Sequence, residues 1–234
     1  MDKAEFDKFA DEYRALHARN IRISGEGPEF FAEYKVRDVA RHLGAARSTV
    51  ARILDFGAGV GTSVPWFRHY FPQASLTCVD VSERSLAVGA SRFPGQAQFV
   101  PFDGRTLPLA DGQVDLAFAA CVFHHIDQSE HVRLFRELRR VLAPGGVLAV
   151  FEHNPLNPLT VSAVNRCPFD ENARLIKPWS LRNRLRDAGF ASAKVQFCVF
   201  FPGPLRALRA AEPLLHWCPV GAQYAVFARG GARA

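Results

Sequence analysis

Lysine is scarce in this 234-residue sequence, which carries 5 lysines against 24 arginines, and methionine occurs once. The five cysteines, Cys78, Cys121, Cys167, Cys198 and Cys218, are odd in number and widely spaced, with no Cys-x-x-Cys pair. This excludes a disulfide framework or a zinc ribbon and points to reduced thiols. No apolar run reaches the ~18 residues of a membrane span, and the opening MDKAEFDKFADEY lacks the apolar centre of a signal peptide. The cytoplasm is the expected location. With 48% hydrophobic and 22% charged residues and no internal repeat, the chain is neither disordered nor fibrous. The net charge of +6 permits an anionic partner without requiring one. In the two arginine clusters, Arg133 to Arg140 and Arg182 to Arg186, apolar residues recur at helical spacing, so both read as solvated helix faces rather than nucleic-acid patches.

From residue 52 onward, short β-rich runs alternate with helix-period segments, the pattern of a mostly parallel sheet with helices on both faces. Seven strands are expected: Arg52 to Phe56, Ser75 to Asp80, Ala97 to Phe102, Val114 to Cys121, Gly146 to Phe151, Ala193 to Phe201 and Gln223 to Ala228. Pro-Gly-Pro, a short apolar helix from Leu205 to Trp217, and Pro219-Val-Gly221 separate the last two, which suits an antiparallel edge strand. Residues 1–46 read as a helical cap over the ligand edge of a domain covering 47–234. One stripe in it is Phe6, Phe9, Tyr13, Leu16 and His17, a second is Phe30, Phe31, Tyr34 and Val39, and a turn-rich break lies at Ser24 to Pro28. The proline-rich stretch 153–180 follows the fifth strand and is expected to build a substrate site.

Ile53-Leu-Asp-Phe-Gly-Ala-Gly-Val-Gly61 is a strand running into three alternate glycines and then a helix opening at Thr62 or Ser63. Such a loop allows close approach of a ligand, and the helix start is expected to offer free N–H groups. Nineteen residues past Gly61, the second strand ends in Asp80, placed to accept from two ribose hydroxyls. A dinucleotide fingerprint would have glycine where Thr62 stands, which argues against a nicotinamide enzyme. Asp55, two residues before the first glycine, can brace the loop or sit beside an ammonium group.

With these segments in place, the chain resembles a class I S-adenosylmethionine-dependent methyltransferase of the small-molecule type. LDFGAGVG is similar to the family's first motif, TCVDVS to its second, FVPFDGRTLP to its third, VDLAFAACVFHHI to its fourth and LRRVLAPGGVLAVFE to its fifth. The resemblance implies a three-layer Rossmann-like α/β fold with a seven-stranded, mostly parallel sheet and an antiparallel last strand. It implies S-adenosyl-L-methionine as cofactor, with Gly57, Ala58, Gly59, Gly61 and Thr62 around the methionyl part and sugar. Asp80 is expected on the ribose, Val81 beside the adenine and Asp103 on the adenine amine, with Phe102, Gly104 and Ala119 lining the site. Lys35 is expected to reach the cofactor carboxylate.

Methyl transfer needs the acceptor in line with the sulfonium methyl and, for a hydroxyl or ammonium acceptor, a base to remove a proton. His124 and His125 follow the fourth strand, and Glu152 and His153 end the fifth. All four are catalytic candidates, with His124 expected nearest the acceptor. Pro155 forces Asn154 toward an extended conformation, so the chain is expected to leave the sheet there and cross the pocket mouth. Ala120-Cys-Val-Phe123 lacks the Asn/Asp-Pro-Pro-aromatic pattern of base amino methylation, and no acidic cluster suggests a metal. The expected acceptor is a small molecule, with an oxygen nucleophile favoured. RNA or protein methylation and a non-catalytic nucleoside-binding regulator are the alternatives.

Overall fold

The computed structural model describes residues 25–167 and 172–231. The stripe from Phe6 to His17 and the segment Pro168 to Asp170 lie outside them. Seven strands, β1 (Arg52–Phe56), β2 (Ser75–Asp80), β3 (Gln98–Pro101), β4 (Val114–Ala120), β5 (Leu142–His153), β6 (Phe190–Cys198) and β7 (Gln223–Gly230), form one sheet in the order β3-β2-β1-β4-β5-β7-β6. The pairs β2·β3, β1·β2, β1·β4 and β4·β5 are parallel, while β7 is antiparallel to both β5 and β6. The strand order reverses between β1 and β4, so a crevice opens at their carboxyl ends.

β7 is not the edge strand that the sequence suggested. It lies between β5 and β6, with Tyr224 to Ala228 all buried, whereas β6 forms the edge and exposes alternate positions. The apolar run Tyr-Ala-Val-Phe-Ala needs cover on both faces, and the lysine-bearing β6 tolerates an open side. β5 also starts earlier than expected, because Leu142 pairs with Val114 ahead of a register shift.

Helix α1 (Pro28–Leu43) starts with proline, whose missing N–H costs nothing in the first turn, and α2 is Val64–Tyr70. Both lie on one face of the sheet, where Tyr34, Val36, Val39, Leu43, Val64 and Phe67 pack with Phe118, Phe151 and Phe227. His42 stacks flat on Phe227, with ring centroids 3.7 Å apart. Three more helices, α3 (Glu83–Arg92), α4 (His131–Val141) and α5 (Pro158–Val164), precede α6 (Pro178–Asp187). Leu134, Phe135 and Leu138 of α4 and Leu181 and Leu185 of α6 cover the opposite face. Truncating a fully buried ring such as Phe118 or Phe135 to alanine costs about 3–5 kcal/mol.

The expected helix from Leu205 to Trp217 is a 3₁₀ run, Gly203–Leu215, kinked at Leu205 and containing Pro204 and Pro213. Two prolines within ten residues deny the hydrogen bonds a regular α-helix needs. Glu212 anchors the run. Its Oε2 accepts from the Tyr34 hydroxyl at 2.5 Å, and its Oε1 accepts from the Phe200 and Phe201 N–H groups.

Candidate active site

The glycine loop leaves β1 between the ends of β2 and β4. Gly57, Gly59 and Gly61 have φ of 71°, 52° and 75°, all in the left-handed region. At Gly57 a Cβ would come 2.5 Å from a Val122 methyl carbon, whereas at Gly59 it would meet nothing within 4 Å. Gly57 is therefore held by packing, and Gly59 faces open space.

The N–H groups of the loop itself are engaged within the domain. Gly57 and Ala58 donate to the Val79 carbonyl, Gly59 to Asp80 Oδ2 at 2.8 Å, and Gly61 to the Ala58 carbonyl. The glycines make a close floor pinned to β2. Asp80 also accepts from the Ser82 N–H through Oδ1, so this acid shapes the loop it faces. Thr62 is half-buried just before α2, and Val81 is half-buried beside Asp80.

Asp55 lies beneath the loop, 3% exposed, and its Oδ2 has no hydrogen-bond partner. Burial and then the neighbouring Asp80 push its carboxyl up to about 7. A buried, orphaned carboxylate oxygen at the foot of this loop is a group that a ligand ammonium would complete.

Beyond β3, Asp103 Oδ1 accepts from the N–H groups of Arg105 and Thr106 at 2.7 and 2.8 Å. These two bonds, Thr106 first, hold the exposed carboxyl below the usual range. One oxygen therefore caps the turn at Gly104, whose carbonyl accepts from Arg133. The ring of Phe102 belongs to the core against Phe56, and its N–H donates to the Asp80 carbonyl. The Ala119 methyl is fully buried. Both side chains are thus core groups, and any part they take in lining the crevice falls to their backbone.

The β4–β5 half brings the four catalytic candidates, His124, His125, Glu152 and His153, together. Glu152 is 0% exposed, and its Oε1 accepts from the Phe123 N–H at 2.8 Å. Its Oε2 lies 2.5 Å from His124 Nδ1, and the two side chains are each 1% exposed. Burial opposes the Glu152 charge, but His124, with help from His153 and the Phe123 N–H, holds the carboxyl below its ordinary value. An ionised carboxylate only accepts, so Nδ1–H is the donor. Glu152 is thus a buried brace for the loop after β4, not a substrate-facing acid. His124 is 2% exposed and its Nδ1 is held by that carboxylate, which fixes the orientation of the ring. His125 and His153 are partly exposed, with ring centroids 4.1 and 5.2 Å from that of His124.

Three further residues meet here. Cys121 has φ of 58°, a left-handed conformation that turns the chain off β4. Gln223 Nε2 lies 3.9 Å from its Sγ, and Gln223 Oε1 has no partner. The Lys35 ammonium, on α1, acts on the same thiol. Lys35 was anticipated at this edge; Cys121 and Gln223 were not, since a cysteine in an apolar strand and a glutamine opening β7 carry no motif. The arginines of α4 turn inward to the domain: Arg133 holds Glu130 and the carbonyls of Gly104 and Arg105, and Arg140 holds Glu137, Asp111 and the Leu107 carbonyl. Among the described residues no helix is long and apolar enough to cross a membrane.

Residues 54–150 match the family model described as "Methyltransferase domain". A malonyl-[acyl-carrier protein] O-methyltransferase of Geobacter sulfurreducens is 33% identical over 62% of this chain and 57% of its own length. A trans-aconitate 2-methyltransferase of Variovorax paradoxus is 37% identical over 43% of this chain and 38% of its own length. The chain thus spans little more than half, or less, of these curated relatives. The crystal structure of a SAM-dependent methyltransferase from Thermotoga maritima superposes with a TM-score of 0.66 at 20% identity, covering 97% of this chain and 98% of that one. The parallel sheet with its inserted antiparallel strand, the glycine loop between Asp55 and Asp80, and these matches agree: segment 54–150 is similar to the methyltransferase-domain family, and the chain has the fold of solved SAM-dependent methyltransferases.

Proposed function

We propose that the protein transfers a methyl group from S-adenosylmethionine to an oxygen of a small anionic acceptor. The observations that carry the cofactor half are the orphaned Asp55 oxygen two residues before the glycine loop, the open space at Gly59, and Asp80 at the end of the neighbouring strand. Asp55 takes the cofactor's ammonium group, Asp80 the ribose hydroxyls through its remaining lone pairs, and Asp103 the adenine amine through Oδ2, with Val81 against the ring. Lys35, on the helix packed over this edge, takes the methionyl carboxylate. The sulfonium supplies an activated methyl; the chain's own residues position and desolvate.

The oxygen acceptor is supported by two relatives whose names specify malonyl and trans-aconitate acceptors, both carboxylates. A carboxylate needs no base, so alignment supplies the rate. For a hydroxyl acceptor, His153 or His125 takes the proton, and Glu152 acts only by fixing His124 and the loop after β4. A small acceptor also fits the pairing of Arg133 and Arg140 with Glu130, Glu137 and Asp111, which offsets their charge. The test is release of S-adenosylhomocysteine across a panel of small carboxylic acids, phenols and amines. Turnover confined to carboxylates or hydroxyls supports the reading, and turnover confined to amines overturns it.

A further inference from the structure

In the cofactor-free chain Cys121 has beside it Lys35 and His153, two groups to which the methyl-transfer reading gives other partners once ligands bind. Its N–H donates to the Phe151 carbonyl at 2.8 Å, which with the φ of 58° holds the residue at the partly exposed lip of β4. His153, from β5, hydrogen-bonds with the thiol, and Lys35, from α1, adds a positive charge. Lys35 is 8% exposed and, among the described residues, has no carboxylate partner. Gln223, 6% exposed, is the register partner of both His153 on β5 and Cys198 on β6. It offers Nε2 to the sulfur and leaves Oε1 without a partner. In the cofactor-free chain the cluster therefore holds a nucleophile, a cation to stabilise its anion, and an acceptor, Gln223 Oε1, without a partner.

We propose that Cys121 is a site of oxidation by peroxide, forming a sulfenic acid that Lys35 and Gln223 hold. The thiolate attacks one peroxide oxygen and the O–O bond breaks. Hydroxide leaves and is protonated to water, while the sulfur gives up the two electrons that the peroxide gains. The new S–O oxygen accepts from the Lys35 ammonium, and its O–H donates to Gln223 Oε1, so in the cofactor-free chain one added atom engages both groups. None of the other four cysteines has this setting among the described residues: Cys78, Cys167 and Cys198 are buried, and burial first of all pushes the thiols of Cys78 and Cys198 up. At Cys121 burial also works upward and Glu152 assists it. Lys35 and then His153 outweigh both and bring the thiol down to about 7. The other titratable groups at this edge are His124 and His125 from the loop after β4, Cys198 from β6 and Tyr224 from β7.

The experiment uses the purified chain without added cofactor, so it does not depend on the proposed reaction. Hydrogen peroxide is added at pH 6 to 9, sulfenic acid is trapped with a cyclic 1,3-diketone, and the modified peptides are identified by mass. Cys121 is expected to be trapped ahead of the partly exposed Cys218. At pH 7 its rate should be about tenfold above that of the same thiol in the urea-unfolded chain, because its thiolate fraction is larger by about that factor. The rate should level off above its midpoint near pH 7. Lys35→Met should lower the pH 7 rate severalfold and move the midpoint up, and Lys35→Arg should restore both, which separates charge from folding. Trapping of Cys218 first, a rate that climbs only above pH 8, or equal rates for Lys35→Met and Lys35→Arg overturns the proposal.

Discussion

At the carboxyl ends of β1 and β2, Asp55 keeps an oxygen without a partner at the foot of the glycine loop; two strands away, at the end of β5, Glu152 has both oxygens taken by Phe123 and His124. Both acids are buried, yet burial raises the first to about 7, while the second is held below its ordinary value despite burial. The difference lies in the company each keeps. Asp55 has another carboxylate, Asp80, as neighbour, and Glu152 has imidazoles and a backbone donor. An unfinished set of interactions marks a place for a ligand, and a finished set marks a structural joint.

Breaking the finished joint should have the largest effect. Glu152→Ala leaves His124 and the Phe123 N–H without their partner and is expected to cost about 3–5 kcal/mol in urea unfolding. If the variant keeps wild-type stability and loses only turnover, Glu152 belongs to the chemistry after all.

On the open side, Asp80→Ala should weaken binding of S-adenosylmethionine by about 1.5–3 kcal/mol for each charge-assisted hydrogen bond lost, measured by calorimetry. Unchanged affinity would remove Asp80 from the site.

The glycines sharpen the contrast within one loop. Gly57→Ala drives a Cβ into Val122 and forces a non-glycine residue left-handed, so it should destabilise the ligand-free protein by about 1–3 kcal/mol or more, seen as a lower melting temperature. Gly59→Ala bears only the conformational cost of about 1 kcal/mol in folding, and its larger effect should appear as lost cofactor affinity. Equal damage to folding at both positions would contradict the open space above Gly59.

The smallest effect is a slope. Asp55 and Asp38, the latter raised to about 6 chiefly by burial, hold protons more tightly folded than unfolded. Each therefore favours the folded state at low pH, and that contribution is lost as pH rises from about 4 through 6 and 7. Thermal unfolding of the ligand-free protein at pH 5 and pH 8 should show Asp55→Asn losing less stability over that interval than wild type. A wild-type-sized loss in the variant would mean that Asp55 ionises without cost.

The open side was also the more legible one in the sequence. Alternate glycines between two strand-ending acids express a backbone requirement, and backbone requirements survive as residue types at fixed spacing. The β1 and β2 limits, Arg52–Phe56 and Ser75–Asp80, follow from the same local pattern. What depended on neighbours far along the chain did not show. The donors at Gly57 and Ala58 are consumed by β2. His124 and Glu152 read as two catalytic groups because each ends a strand or opens a loop, and only the parallel pairing of β4 with β5 shows that they occupy each other. The place of β7 between β5 and β6 depends on the two-sided burial of its apolar run, which a single sequence shows only as hydrophobicity.

The central claim is that the orphaned carboxylate of Asp55 is completed by the cofactor's ammonium group. Calorimetric titration of S-adenosylhomocysteine at pH 6.5, in buffers of differing ionisation enthalpy, tests it directly. An acid raised to about 7 in the empty site must give up its proton when a cation arrives. Wild type is predicted to release on the order of half a proton or more per ligand bound, and Asp55→Asn to bind more weakly and release none. Binding with no proton release in wild type, or the same release in Asp55→Asn, would contradict the account.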